Sequence, residues 1–199
     1  MQSKKKNILV RLIVDTREKN ISFLEKFKFD TKYSSEKIKI QDYVIKTFKC
    51  LDKNTNSSVK YSVGDVGIEY SLDDGETWNK TNLSIELKRG SDFSTTIYSN
   101  YKRFSKEIER AKEYGLDFYL VYNQTTATMK DEFDKLKYLK KIPMYMQPHK
   151  IVYDRMIELL DNGVKMIYTH EIEEVIKRII KNHIKKYKLQ YWQWSDTVI

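Results

Sequence analysis

Between Leu83 and Phe93 the chain reads LSIELKRGSDF, a strand-like apolar run interrupted by Glu86 and Lys88, with Asp92 four residues beyond the lysine. Side chains two apart on a strand share a face, so Glu86 and Lys88 stand together while Ile85 and Leu87 turn to the opposite layer. A charge facing a core needs partners, because burying it unpaired is expensive. The stretch therefore predicts a core strand with an acid and an amine side by side, completed by charged groups from elsewhere in the chain.

The flanking sequence supplies the elements for such a core. NILVRLIVD (Asn7–Asp15) is an apolar, β-branched run that reads as a buried first strand. SFLEKFKF predicts a short helix, Lys37–Cys50 an extended run, and DKNTNSSVK a polar turn. VKYSVGD gives a second extended run ending at Gly64, with Asp65 at the corner that follows. GIEYSLDDGETWNKTNLSIELK has two β-rich arms around DDG and predicts a hairpin that returns Glu86 beside Asp65. Its SLDDGETW is similar to an Asp-box turn, for which the expected role is to stiffen the hairpin.

Helical spacing dominates the second half. NYKRFSKEIERAKEYG predicts a helix capped by Asn100, buried through Tyr101, Phe104, Ile108 and Ala111, and stopped by Gly115. LDFYLVYN reads as a buried strand, residues 128–141 as a charged helix, PHKIVYDRMIELLDNG as a helix ended by Gly163, and VKMIYT as a further strand. Glu171–Lys188 predicts a last helix with Ile172, Val175, Ile176, Ile179, Ile180 and Ile184 inward, its acids first and its lysines last as the helix dipole prefers. Residues 189–199 are left as a tail. Strands first, then strands alternating with helices, predict an α/β fold with one central mixed β-sheet flanked by helices on both faces. A single domain over residues 1–199 is expected, with a basic N-terminal tail at 1–6.

Composition narrows the chemistry. The one cysteine, Cys50, excludes an intramolecular disulfide and a thiolate zinc site, and three scattered histidines argue against a histidine-based metal centre. A metal would then be held by carboxylates, which suits Mg²⁺ or Mn²⁺. Lys and Arg outnumber Asp and Glu by 37 to 28, a net charge of +9 that favours a polyanionic partner, DNA first. Between Val175 and Gln190 there are six Lys/Arg and no Asp/Glu; that segment is either a phosphate-tracking face or a solvated helix end. No apolar run is long enough to span a membrane, and the basic start lacks a cleavage pattern, so a cytoplasmic protein is expected. The Lys/Ile/Asn/Tyr-heavy composition hints at an A/T-rich genome of bacterial or viral kind.

Acid, then acid-x-lysine on the adjacent strand, resembles the PD-(D/E)XK arrangement of restriction-endonuclease-like folds. Four segments extend the likeness: VDTREK at Val14–Lys19, VGD with Asp65, IELKRGSD with Glu86, Lys88 and Asp92, and a helix bearing Arg103 before an apolar strand. In this order they resemble the nuclease domain of the XPF family of structure-selective endonucleases. The likeness covers about residues 8–190, with insertions at about 30–58 and 124–146. It implies a metal-dependent endonuclease acting at branched or flapped DNA, with Asp65 and Glu86 as core metal ligands and Asp15 and Glu18 ligating or supporting. Lys88 is implied as the catalytic lysine, Asp92 as an accessory acid, and Arg17, Arg103 and Lys102 as contacts to the DNA. A homodimer or a separate DNA-binding subunit is the implied assembly.

Plainer roles compete for several of these residues. Glu86 and Lys88 could be a salt-bridged strand face, Asp92 a helix N-cap, and Arg103 a surface partner of Glu107. The family's signature has arginine between the glutamate and lysine, where this chain has Leu87. The chain also shows no repeated helix-hairpin-glycine pattern, so selectivity for DNA structure is expected from the nuclease domain, its insertions or a partner. Two other functions fit the same core: a non-catalytic DNA-binding partner module, and a site-specific or defence nuclease acting on plain duplex.

Overall fold

The computed structural model describes residues 9–14, 63–71 and 76–195. β1 (Leu9–Val14) runs antiparallel to β2 (Val66–Ser71), with Leu9 opposite Ser71 and Val14 opposite Val66. β3 (Asn79–Lys88) is the neighbour of β2 and follows it by a connection too short for a crossover, so the two form the expected hairpin. β4 (Asp117–Tyr122) runs parallel to β5 (Lys165–Tyr168), with Tyr122 opposite Tyr168. Antiparallel and parallel pairs together make the sheet mixed, and with its helices the architecture is the α/β class expected of a restriction-endonuclease-like chain.

Two compact units divide the chain. One holds residues 1–83 and 173–199, the other residues 84–172. In the first, β1, β2 and the opening half of β3 are neighbours in that order. Ile13, Val66, Ile68 and Leu83 are buried there. α5 (Ile172–Ser195) buries Ile172, Val175, Ile176, Ile179 and Ile180 of the face read from its spacing, the Ile184 side chain lying outside the described residues, and continues well past Lys188, where the sequence pattern ended it. Side-chain periodicity carries no information once Tyr, Trp and Gln replace the isoleucines, which is why the extension was not legible.

The second unit carries the closing half of β3, then β4 and β5. Adjacent residues Leu120 and Val121 are both fully buried, and Ser84 through Leu87 are buried without a break. Burial at successive positions means that both faces of these strands are covered. α1 (Ser91–Ser94) leads into one π-helical turn (Thr95–Ser99) and then α2 (Tyr101–Glu113). α2 packs Phe104 against Phe118 of β4, ring centroids 6.4 Å apart. α3 (Thr126–Tyr138) lies in the segment expected as an insertion, yet buries Met129 and Phe133. α4 (Pro148–Asp161) starts on a proline, whose fixed φ suits the first helical turn.

Three helices end in the same hydrogen-bonded turn. At Gly115, φ +61°, Leu116 N–H donates to Ala111 at 2.8 Å and Gly115 N–H to Lys112 at 3.0 Å. Gly163 repeats this pattern after α4. After α3 the left-handed position is Lys140, φ 55°, with Lys141 N–H donating to Leu136 at 2.9 Å. Glycine pays no Cβ penalty there, whereas lysine does. Expected structure at Ser22–Phe29 and Lys37–Lys60 lies outside the described residues.

Candidate active site

β3 delivers its charged pair at its C-terminal end. Glu86 is 6% exposed, and its Oε1 lies 2.7 Å from Lys88 Nζ. The same ammonium reaches Asp92 Oδ2 at 3.3 Å, although Asp92 itself is open to solvent. One amine thus bridges a buried and an exposed carboxylate, which fixes its position between core and solvent. Leu87, where the signature has arginine, is 5% exposed on the other side of the strand. Its side chain fills core, so an arginine here would have to bury a guanidinium.

A short turn sets the distance from Lys88 to Asp92. Gly90 takes φ +50°, a value that L side chains rarely adopt, although a Cβ there would meet nothing within 4 Å. Backbone conformation, not space, selects glycine at this point. Gly90 is the N-cap of α1, so Asp92 sits within the first helical turn and not at the cap position that the sequence also allowed. An acid there is favoured by the exposed N–H groups of the turn.

Two amides just after β4 hold this turn in place. Gly90 N–H donates to Asn123 Oδ1 at 2.8 Å, and Ser94 N–H donates to Gln124 Oε1 at 2.9 Å. Gln124 Nε2 donates in turn to Glu132 Oε2 at 2.8 Å, which also accepts from Ser94 Oγ at 2.7 Å. Phe93, between them, stacks on Tyr122 with centroids 4.1 Å apart and planes at 9°. Sequence reading missed Asn123, Gln124 and Glu132, because partners so far apart along the chain leave no local pattern.

Beyond α1 the π-helical turn is pinned from α4. Arg155 donates to the carbonyls of Ile97 at 2.7 Å and Tyr98 at 2.5 Å, and its guanidinium lies over the Tyr101 ring, 4.6 Å from the centroid. Burial, then the Glu158 carboxylate bonded to its hydroxyl, push the Tyr101 phenol well above its ordinary value against a smaller opposing pull from Arg155. The next turn presents Lys102, Arg103 and Lys106, all exposed, around a depression of about 360 Å³ with Ser99 and Asn100. Lys102 and Arg103, in the first turn of the helix, stand where its dipole disfavours cations, a modest cost for exposed side chains. Lys106 joins the expected Lys102 and Arg103; the i, i+4 spacing from Lys102 was the available signal. Asn100 is the N-cap of α2, but only its backbone carbonyl accepts hydrogen bonds, from Arg103 and Phe104 N–H.

The other expected residues are placed less completely. Asp65 is 8% exposed at the bend with Gly64 that opens β2, in the other compact unit. Asp15, Arg17 and Glu18 lie outside the described residues. Carboxylate oxygens are the donor type that Mg²⁺ and Mn²⁺ require, and Glu86 and Asp65 are buried examples. Among the described residues, no three His, Cys, Asp or Glu side chains gather as a ligand set.

No protein-family model matches the chain. No curated protein matches it. A solved structure similar to it is XPF from Aeropyrum pernix. The identity is 17%, the likeness covers 95% of this chain and 75% of that one, and the TM-score is 0.46. A score of that size leaves the family open, so the functional reading has to come from the residues themselves. No helix among the described residues is long and apolar enough to cross a membrane.

Proposed function

We propose that the chain is a divalent-metal-dependent DNA endonuclease that hydrolyses phosphodiester bonds at branched or flapped DNA. The observation that carries the reading is Lys88, a partly buried ammonium held 2.7 Å from Glu86 and 3.3 Å from Asp92 at the end of a core strand. A surface ion pair would need none of the burial, the glycine turn or the amide clamp that fix this one. Proposed metal ligands are Asp65 and Glu86, with Asp15 and Glu18 ligating or supporting, an assignment that rests on the order of the motifs along the chain. When bound, Mg²⁺ or Mn²⁺ supplies polarisation of the scissile phosphate and an acidified water.

The chain's own residues do the remaining work. Lys88 donates to the phosphate oxygen on which negative charge develops, or orients the attacking water, from a position that Glu86 and Asp92 hold fixed. Lys102, Arg103 and Lys106 bind backbone phosphates of the same strand, and Arg17 is proposed to add to them. Such contacts set register and affinity and carry no sequence information, which suits an enzyme that reads DNA shape. Assembly as a homodimer, or with a separate DNA-binding subunit, would supply the selectivity for structure.

The test is cleavage of labelled duplex, single strand, 3′ flap, fork and four-way junction with Mg²⁺, with Mn²⁺ or with EDTA. Cutting of flap or fork that is lost with EDTA and in Glu86→Gln supports the proposal. Lys88→Met should lower the rate by about 10²–10³, the usual loss for one preorganised donor, with binding retained. Binding of every substrate without cutting would leave a DNA-binding partner module; cutting at one sequence in plain duplex would leave a site-specific enzyme.

A further inference from the structure

A second concavity lies within residues 84–172. It is a pocket of about 560 Å³, opening where the parallel strands β4 and β5 end and α3 and α4 begin. The crevice beyond the carboxyl ends of parallel strands is where ligands of open α/β sheets bind, and small-ligand pockets span roughly 300–1,000 Å³. Neither the acid-lysine site nor the cations of α2 use it.

Its walls are aromatic and held. Tyr122 and Tyr168 are register partners across the strand pair, with ring centroids 5.8 Å apart and planes at 59°. Phe93 backs Tyr122 from one side, and the Tyr168 hydroxyl is hydrogen-bonded to His170 Nε2 at 2.5 Å. Tyr153 stands 64% exposed on α4, with Lys150 one turn before it. Gln147 adds an amide that can both donate and accept. Among the described residues no carboxylate lines the pocket, in a chain with 28 Asp and Glu. The permanent charge that those residues bring to its mouth is the single ammonium of Lys150.

Flat π-faces, an amide and a cation, with acids excluded, select a planar hydrogen-bonding ligand that carries negative charge. We propose that this pocket holds one unstacked nucleotide of a single DNA strand, its base against the tyrosines and its phosphate at Lys150. The choice of DNA as the source rests on the endonuclease reading above. Gln124 links the two places: it lines the pocket and accepts from Ser94 N–H in the turn that carries Asp92. A strand threaded past Lys88 could leave one flanking base here, which would favour substrates with an unpaired segment.

The test reads binding without cutting. In EDTA, anisotropy of a labelled oligothymidylate is compared with that of an abasic strand of equal length, using the whole chain, Tyr153→Ala and Lys150→Ala. Both side chains are exposed, and circular dichroism checks that the fold is kept. The parent should prefer the strand with bases by about tenfold, the scale of one stacked base. Tyr153→Ala should abolish that preference and leave abasic affinity alone, whereas Lys150→Ala should weaken both strands. Equal affinity for the two strands, or a preference that Tyr153→Ala leaves intact, overturns the proposal. Tighter binding of free thymidine monophosphate than of the strand overturns the DNA source and leaves a solution nucleotide. A chain that binds in this way but never cuts loses only the endonuclease reading.

Discussion

Replacing Gln124 with methionine isolates the clamp that positions the Lys88–Asp92 turn. Gln124 is 5% exposed, and methionine keeps its length and much of its volume, so little packing is lost. Two hydrogen bonds disappear: the one accepted from Ser94 N–H at 2.9 Å and the one donated to Glu132 at 2.8 Å. Leaving a buried N–H without a partner costs about 1–3 kcal/mol, and losing a bond to a carboxylate about 1.5–3 kcal/mol. Glu132 is partly exposed and keeps its bond from Ser94 Oγ, so the second contribution belongs at the low end. The expected total is about 3 kcal/mol, or a fall in Tm of about 6–12 °C for a chain of this length. Urea unfolding measures the loss, and hydrogen exchange at the Ser94 amide locates it. A double-mutant cycle with Glu132→Gln should return coupling of about 1 kcal/mol. If Gln124→Met unfolds within about 0.5 kcal/mol of the parent, the scale of an inert surface change, and Ser94 exchange is unaltered, the clamp does not hold the turn.

Lys140→Gly should raise stability by about 0.5–1 kcal/mol, since glycine removes the left-handed penalty at φ 55° and pays part of it back as unfolded-chain entropy; thermal unfolding decides. Arg155→Met should cost about 2–3 kcal/mol by stripping the charge-assisted bonds to Ile97 and Tyr98, with chemical denaturation as the check. Tyr101 is raised in the folded state, so its contribution is fully present below about pH 10, the unfolded value, and is lost as pH rises through the higher folded value. Tyrosinate absorbance in Glu158→Gln should show that phenol ionising at lower pH than in the parent. Neutralising Lys102, Arg103 and Lys106 together should flatten the dependence of log K on log salt by about 2–3, at about 0.9 for each phosphate no longer neutralised, in DNA binding followed by anisotropy.

Where residue spacing alone sets a structure, the sequence was a sufficient guide. The 3.6-residue period placed Phe104, Ile108 and Ala111 on the buried face of α2, and the glycines at 115 and 163 marked two helix ends. Alternation along β3 put Glu86 with Lys88 and sent Leu87 into the core. What escaped was non-periodic or distant. A four-residue helix followed by a single π turn is too short to show a period, so Gly90 and not Asp92 proved to be the cap. Asn123 looked like the end of a strand and Gln124 like the start of an insertion, because their work is done on backbone groups far back in the chain. Lys140 gave no sign of its conformation, since lysine is rare there. Asp65, Asp15 and Glu18 remain tied to Glu86 by motif order.

The π turn at Thr95–Ser99, closed by Asn100 N–H donating to the Thr95 carbonyl at 3.0 Å, takes up one residue more than an α turn would hold. Deleting one residue from it would let the segment wind as ordinary α-helix over nearly the same rotation, so Phe104, Ile108 and Ala111 would keep facing the core and Lys102, Arg103 and Lys106 would stay on their own side. The same deletion inside α2 has no such slack, because each residue of α-helix is worth about 100° of rotation and everything after the cut would turn by that angle. A length change is therefore absorbed at this point and nowhere later in the helix, and a homologue could shed the added residue here without rewriting either its greasy or its cationic side.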